Sequence, residues 1–209
     1  MKININLEII ATFFSIAFLL SSCKQKEYII PVDIQAFYMD SKTSETEREA
    51  EHKNRKIFGA LIENTVEKHL PSTDVFSLSG EKYDLAELVN GKTIIISSDP
   101  NCPAGVASII EDFPFLKKKL HKEFEDVNII CLAIREEEDD YLERLLSDLQ
   151  NHYNEIYIID NDQALSINMV GASQYFLNKE GIVKKIVFGM ACDRNYLVSV
   201  YLKGLQLIK

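Results

Sequence analysis

The sequence lacks several features that would point directly to a function. It has no tryptophan, eight glycines, five prolines and four cysteines in 209 residues. Four cysteines are too few for a disulfide scaffold of this length. With 46% hydrophobic and 26% charged residues, the chain is typical of a folded globular protein. Basic residues number 23 against 32 acidic ones, for a net charge of −9, so a nucleic-acid partner is not expected.

Long hydrophobic runs are also missing. The longest apolar stretch, residues 9–20, is too short to span a bilayer, which takes about 20 residues. Its length and its position after Lys2 are typical of the hydrophobic region of a signal peptide. The stretch runs into Leu20-Ser21-Ser22-Cys23, which resembles the lipobox of bacterial lipoproteins.

That resemblance implies a lipoprotein signal peptide at residues 1–22, cleavage before Cys23 and acylation of the Cys23 thiol. The protein is then expected in the bacterial cell envelope, lipid-anchored to a membrane and exposed to the periplasm or the exterior. The membrane is its first expected partner, and the surroundings are not the reducing cytosol. An ordinary secretory signal followed by a chance cysteine is the alternative.

Residues 23–71 are interpreted as a tether and a helical extension. Ser44 and Glu47 have the spacing of a capping box, and the following segment to Lys68 is rich in helix-forming residues. Four apolar residues recur at near-helical spacing and predict one buried face: Ile57, Leu61, Val66 and Leu70. This helix serves either as a spacer from the membrane or as a partner-binding element.

From residue 72 the chain alternates between strand-like and helix-like segments. The predicted strands are 74–78, 93–97, 127–134 and 155–159, followed by a hairpin within 176–188. The predicted helices are 106–124, with a kink at Pro114, 136–153 and 193–205. The second of them is expected to turn five residues inward: Tyr141, Leu142, Leu145, Leu146 and Leu149. This order predicts an α/β domain with a central sheet between helices.

Several motifs resemble the TlpA-like and redoxin branch of the thioredoxin superfamily. They are Phe76-x-Leu-x-Gly80, Leu85-x-x-Leu88, Gly91-Lys92 before a strand, and the hairpin at 172–181. The resemblance covers residues 72–209. It implies a thioredoxin-like fold, a central mixed β-sheet flanked by helices, here with an N-terminal helical extension.

The family's Cys-x-x-Cys motif is degenerate in this chain. Cys102 matches the family's nucleophilic cysteine, and a thiol at a helix amino terminus is favoured as thiolate. Gly105 stands in place of the resolving cysteine, and Asn101 in place of the usual tryptophan. Ala172 stands in place of the family's cis-proline, and because a non-proline cis bond costs several kcal/mol, a trans peptide is expected there.

The two remaining cysteines have different expected roles. Cys131 lies within an apolar strand and is expected to fill the core. Cys192 lies between the last strand and the last helix, which in the thioredoxin fold is on the same edge as Cys102. The two can therefore approach disulfide range, about 4.4 to 6.8 Å between Cα atoms. An unpaired cysteine at a helix start is the alternative.

Other chemistries find no support in the sequence. The histidines lie in different predicted elements without ligand spacing, so no metal is expected. Asp99 occupies the position at which a peroxiredoxin has a hydroxyl residue, and a Cys-x-x-x-Cys copper motif is absent. The acidic run 136–140 is a solvated helix cap. No Walker loop or GxGxxG motif occurs, so no cofactor is expected.

Two functions remain open. In the first, the protein is a thiol-disulfide redox protein that uses Cys102 alone, through mixed disulfides with a thiol-bearing protein or a small thiol, or uses it paired with Cys192. In the second, it is a redox-inactive thioredoxin-like binding or scaffold module. The fold alone does not choose between them.

Overall fold

The computed structural model describes residues 26–34, 47–136, 141–189 and 194–209. The predicted signal peptide at residues 1–22, Cys23, Ser44, most of the acidic run and Cys192 lie outside the described residues. Within the described ranges, no helix is both long enough and apolar enough to cross a membrane.

Seven strands of the described chain form one sheet. They are β1 (Asp74–Ser77), β2 (Lys82–Asp84), β3 (Lys92–Ser98), β4 (Val127–Arg135), β5 (Ile156–Asp160), β6 (Ser173–Leu177) and β7 (Val183–Phe188). Their order in the sheet is β2-β1-β5-β4-β3-β6-β7. Strands β3, β4 and β5 are parallel, whereas β1, β2, β6 and β7 join by antiparallel pairing. The predicted central mixed sheet is therefore confirmed.

Helices cover both faces of this sheet. They are α1 (Glu47–Thr65), α2 (Leu85–Leu88), α3 (Pro103–Ala107), α4 (Phe113–Lys119), α5 (Leu142–Gln150), α6 (Asn161–Ser166) and α7 (Arg194–Leu207). Alternate residues of β3 enter two separate hydrophobic clusters, Ile94 and Ile96 on one face and Ile95 on the other. Because both faces are buried, the central strands are continuous apolar runs in the sequence.

The helix after Cys102 is interrupted by a π-helical turn, Ser108–Asp112, which joins α3 to α4. Pro114 has no N–H and its ring crowds the preceding turn, so the helix widens and Phe113 N–H donates to the Ser108 carbonyl. In this wider register the Ile109 carbonyl would pair with Pro114, which cannot donate. The buried Tyr153 hydroxyl donates to it instead, at 2.7 Å. The irregularity predicted at Pro114 thus takes the form of a π turn.

The helices that follow β4 differ from the prediction at two points. Tyr141 was expected to face the core but is 61% exposed. It precedes the first helical residue of α5 and so lies off the face that buries Leu145 and Leu149. Helix α6 was not predicted, because its first residues, Asn161 and Asp162, look like a turn; the chain enters this helix directly from β5.

The N-terminal extension packs against the domain. Ile57, Leu61 and Leu70 are buried as predicted, although α1 ends at Thr65, before the predicted end at Lys68. Residues 27–32 also lie against the domain, with the Ile29 side chain inside one of the two hydrophobic clusters. The predicted division of the chain at residues 71 and 72 is therefore crossed by many contacts.

Candidate functional site

Cys102 lies at the sheet edge where the parallel strands end. It follows β3 and directly precedes α3. Its N–H donates to the Asp99 carbonyl at 3.0 Å, and its carbonyl accepts the N–H of Val106 at 3.0 Å. The Asp99 carboxylate accepts the Asn101 N–H at 2.8 Å. These bonds hold the half-buried Cys102 at the amino terminus of the helix.

Gly105 and Ala172 are in close contact beside the Cys102 thiol. A Cβ atom at Gly105 would lie 3.3 Å from Cys102 Sγ and 3.5 Å from Cys102 Cβ, but only 2.8 Å from Ala172 Cβ. Two real Cβ atoms do not approach so closely. A side chain at residue 105 would therefore lie beside the Cys102 thiol. The Ala172 methyl group occupies the space that this side chain would need.

The backbone at Ala172 is held by hydrogen bonds from two strands. The Ser97 hydroxyl, fully buried at the end of β3, donates to the Gly171 carbonyl at 2.8 Å and accepts the N–H of Ser173 at 3.1 Å. From the end of β7, Gly189 N–H donates to the Ala172 carbonyl at 2.6 Å. No described peptide bond is cis, which confirms that the bond before Ala172 is trans.

The described cysteines differ in their environment. Cys102 and Cys131 are both free, and Cys131 is fully buried. Burial raises the pKa of the Cys131 thiol far above its usual range, because a thiolate loses its hydration there. Cys131 is thus a core residue, as predicted. Cys192 lies outside the described residues, so its proximity to Cys102 stays a prediction.

A groove of 590 Å³ is lined by Asn101 and Val106, which lie on either side of Cys102 in the sequence, and no sequence pattern indicated it. Its apolar floor includes Val106 and Ile110 from the Cys102 helix, and Tyr141, Arg144 and Asp148 line it from the side of α5. Since it joins helices far apart in sequence, only the fold brings its walls together. The groove offers a partner apolar contact together with both signs of charge.

The described polar side chains at this edge contact one another. Within the ranges given above, no group of three or more His, Cys, Asp or Glu side chains is arranged to hold a metal ion. Glu136 instead accepts a long hydrogen bond from the Asn101 amide at 3.4 Å, and Arg135 forms an ion pair with Asp160 at 2.6 Å.

Comparison with known proteins identifies the fold. The chain is similar to a proposed electron transfer protein from Aquifex aeolicus, with a TM-score of 0.53 and 14% identity over 69% of this chain and 95% of that one. The fold is thioredoxin-like. No protein-family model matches the chain, and no curated protein matches it.

Two further structures with lower scores are a secreted thiol-disulfide isomerase from Corynebacterium glutamicum and yeast Sco1. The first has a TM-score of 0.47 and 18% identity over 65% of this chain and 84% of that one. The second has a TM-score of 0.49 and 15% identity over 65% of this chain and 93% of that one. At such identities the likeness shows the fold alone, so the chemistry of this thioredoxin-like domain depends on its own residues.

Proposed function

We propose that the protein is a membrane-anchored thioredoxin-like lipoprotein of the cell envelope that takes part in thiol-disulfide exchange through the single cysteine Cys102. The observation that carries the proposal is a half-exposed Cys102 thiol at a helix amino terminus beside Gly105. The space that a side chain at residue 105 would need is filled by the Ala172 methyl group. This arrangement keeps a nucleophile and removes its internal partner.

The chemistry of such a site is an exchange with an external thiol. The Cys102 thiolate attacks one sulfur of a disulfide, the S–S bond breaks, and the other sulfur leaves as a thiolate. Cys102 is then in a mixed disulfide with a thiol-bearing protein or a small thiol. Without a cysteine at position 105, a second external thiolate must attack to release Cys102 in its reduced form.

Cys192 is the second candidate for that release. Gly189, three residues before it, bonds to Ala172, and Arg194, two residues after it, donates to the Asp112 carboxylate at 3.4 Å in the turn that follows α3. Three residues span at most about 11 Å, so the chain length permits the two thiols to meet. Pairing of Cys102 with Cys192 is the variant of the proposal in which resolution is internal.

The groove favours a second candidate function, a redox-inactive binding module. Its apolar floor and the charges of Arg144 and Asp148 offer a partner binding energy that needs no thiol. In that case Cys102 takes no part in the function, and its replacement leaves partner binding unchanged.

Thiol mass spectrometry on the soluble chain without its signal peptide separates these functions. We expect alkylation of the reduced protein to modify Cys102 faster than a free cysteine peptide at neutral pH. The Cys102→Ser variant is the control, and Cys192→Ser shows whether a reductant-sensitive bond joins the two. A Cys102 thiol that reacts no faster than the peptide and forms no disulfide would contradict the redox function.

A further inference from the structure

The segment at residues 27–32, which begins four positions after Cys23, is fixed to the domain. His69 N–H donates to the Glu27 carbonyl at 2.7 Å, and Ile29 N–H donates to the His69 carbonyl at 3.0 Å. Ile30 N–H donates to the Asn64 carbonyl at 3.2 Å. Glu27 also forms an ion pair with Lys68. Residues 27–30 thus form the outermost extended segment beside residues 67–70.

A buried asparagine holds the same segment from the other side. Asn168 is fully buried; its side-chain oxygen accepts the Val32 N–H at 2.8 Å. Its amide donates to the Ile30 carbonyl and to the Thr65 hydroxyl, both at 2.9 Å. Since a buried amide without hydrogen-bond partners is costly, Asn168 and the segment stabilise each other. Residues 27–32 are therefore an integral part of the folded domain.

Little chain is left between this fixed segment and Cys23. The four Cα-to-Cα steps from Cys23 to Glu27 span at most about 14 Å when fully extended. A lipid on Cys23 therefore holds the Glu27 end of the domain against the head groups, where Tyr28 and Ile30, 49% and 57% exposed, are available for contact with the bilayer.

The Cys102 site lies at the opposite end of the sheet. Residue His69 bridges to Ile182, just before β7 begins, and Lys68 accepts the Val183 N–H. Strand β6 pairs antiparallel with both β3 and β7, so β3 and β7 run in the same direction. The first residues of both strands therefore lie at one side of the sheet. Cys102 follows the last residue of β3 and lies at the other side. Strand β3 has seven residues, a length of about 23 Å.

We propose that the docked segment at residues 27–32 orients the domain, with its Glu27 end on the lipid surface and the Cys102 edge turned away from the bilayer. The site then meets partners from the aqueous compartment rather than groups buried in the membrane. This inference rests on the lipid anchor of the proposed function. It does not depend on whether Cys102 is redox-active.

Energy transfer on vesicles tests the orientation. The full chain is purified with its lipid, with Cys102 and Cys192 replaced by serine, and carries one fluorophore at Lys179→Cys, in the turn between β6 and β7, or at Asn101→Cys. Both native side chains are exposed. In phosphatidylethanolamine and phosphatidylglycerol vesicles with an acceptor on the head groups, we expect several-fold more transfer from position 179 than from position 101.

A matched variant controls for the label positions. A Gly-Ser linker of about twenty residues inserted after Lys24 spans about 25 Å on average and leaves the docked segment intact, so the difference between the two positions should largely disappear. Equal transfer from positions 179 and 101 in the uninserted, lipidated protein would overturn the proposed orientation. An unmodified Cys23 in the intact mass would overturn the anchor itself, and a separate thiol assay still reports on Cys102.

Discussion

Gly105 and Ala172, two of the positions at which the sequence differs from the motifs it resembles, touch each other. The sequence shows each departure separately, and their contact in the structure connects them. A small residue at one position makes room for the methyl group at the other. The absence of a side chain at Gly105 and the position of the Ala172 methyl group are thus one structural feature.

A double-mutant cycle tests this contact at the level of stability. Gly105→Ala places a methyl group 2.8 Å from Ala172 Cβ, and such overpacking costs about 1–3 kcal/mol. In an Ala172→Gly background the clash is gone, and alanine in a helix is favoured over glycine by up to about 1 kcal/mol. Urea unfolding of the four proteins should show that Gly105→Ala destabilises only when Ala172 is present. Additive effects would contradict the contact.

Restoring the dithiol is a second prediction at these residues. A Cβ at position 105 would lie 3.5 Å from Cys102 Cβ, within the range of a disulfide, about 3.5 to 4.5 Å. We expect Gly105→Cys together with Ala172→Gly to form a reductant-sensitive bond between residues 102 and 105, detected by peptide mass. Gly105→Cys alone should form it less completely. Equal oxidation of the two variants would show that Ala172 is no obstacle.

The elements of the sheet follow closely from the sequence. Apolar runs predicted β3 and β4 because both faces of these strands are covered by helices, and the run around Cys131 places that thiol in the core. The helix boundaries were less predictable. Tyr141 looks like a core residue in the sequence, yet it lies just before the first helical residue of α5 and is exposed.

The π turn after Cys102 gives a testable prediction for an element. Tyr153→Phe leaves the Ile109 carbonyl without its hydroxyl donor, and an unsatisfied buried carbonyl costs about 1–3 kcal/mol. In a Pro114→Ala background residue 114 regains an N–H that can serve this carbonyl. Thermal unfolding should therefore show a smaller cost of Tyr153→Phe in that background. An unchanged cost would mean that Tyr153 acts through packing alone.

At the scale of the whole molecule, the N-terminal extension and the thioredoxin-like domain share one core. Ile29 and Leu70 belong to the same hydrophobic cluster as residues of β1, β4 and β7, and Phe58 contacts Phe188 with ring centroids 5.0 Å apart. The sequence could not predict this docking, because residues 27–32 have no clear periodicity. The site was only partly predictable for a different reason. Its groove and the contact at Ala172 depend on packing between residues that are far apart in the sequence.

Truncation tests this shared core. A fragment of residues 72–209 loses the burial of Ile57, Leu61 and Leu70, and each such side chain contributes about 1.5–3 kcal/mol. Total stabilities are about 5–15 kcal/mol. We therefore expect the fragment to unfold at a much lower urea concentration than residues 26–209, as measured by far-UV circular dichroism. Equal midpoints would show that the extension is dispensable.

The proposed function requires that Cys102 exchange disulfides without an internal partner at position 105. The most direct test is to incubate the reduced soluble protein with an oxidised small-thiol disulfide and measure the mass of the peptide that contains Cys102. We expect a mixed disulfide on Cys102 that a second thiol removes. No such adduct should form on the buried Cys131, nor at residue 102 of the Cys102→Ser control. A native Cys102 that stays unmodified under these conditions would contradict the proposed function.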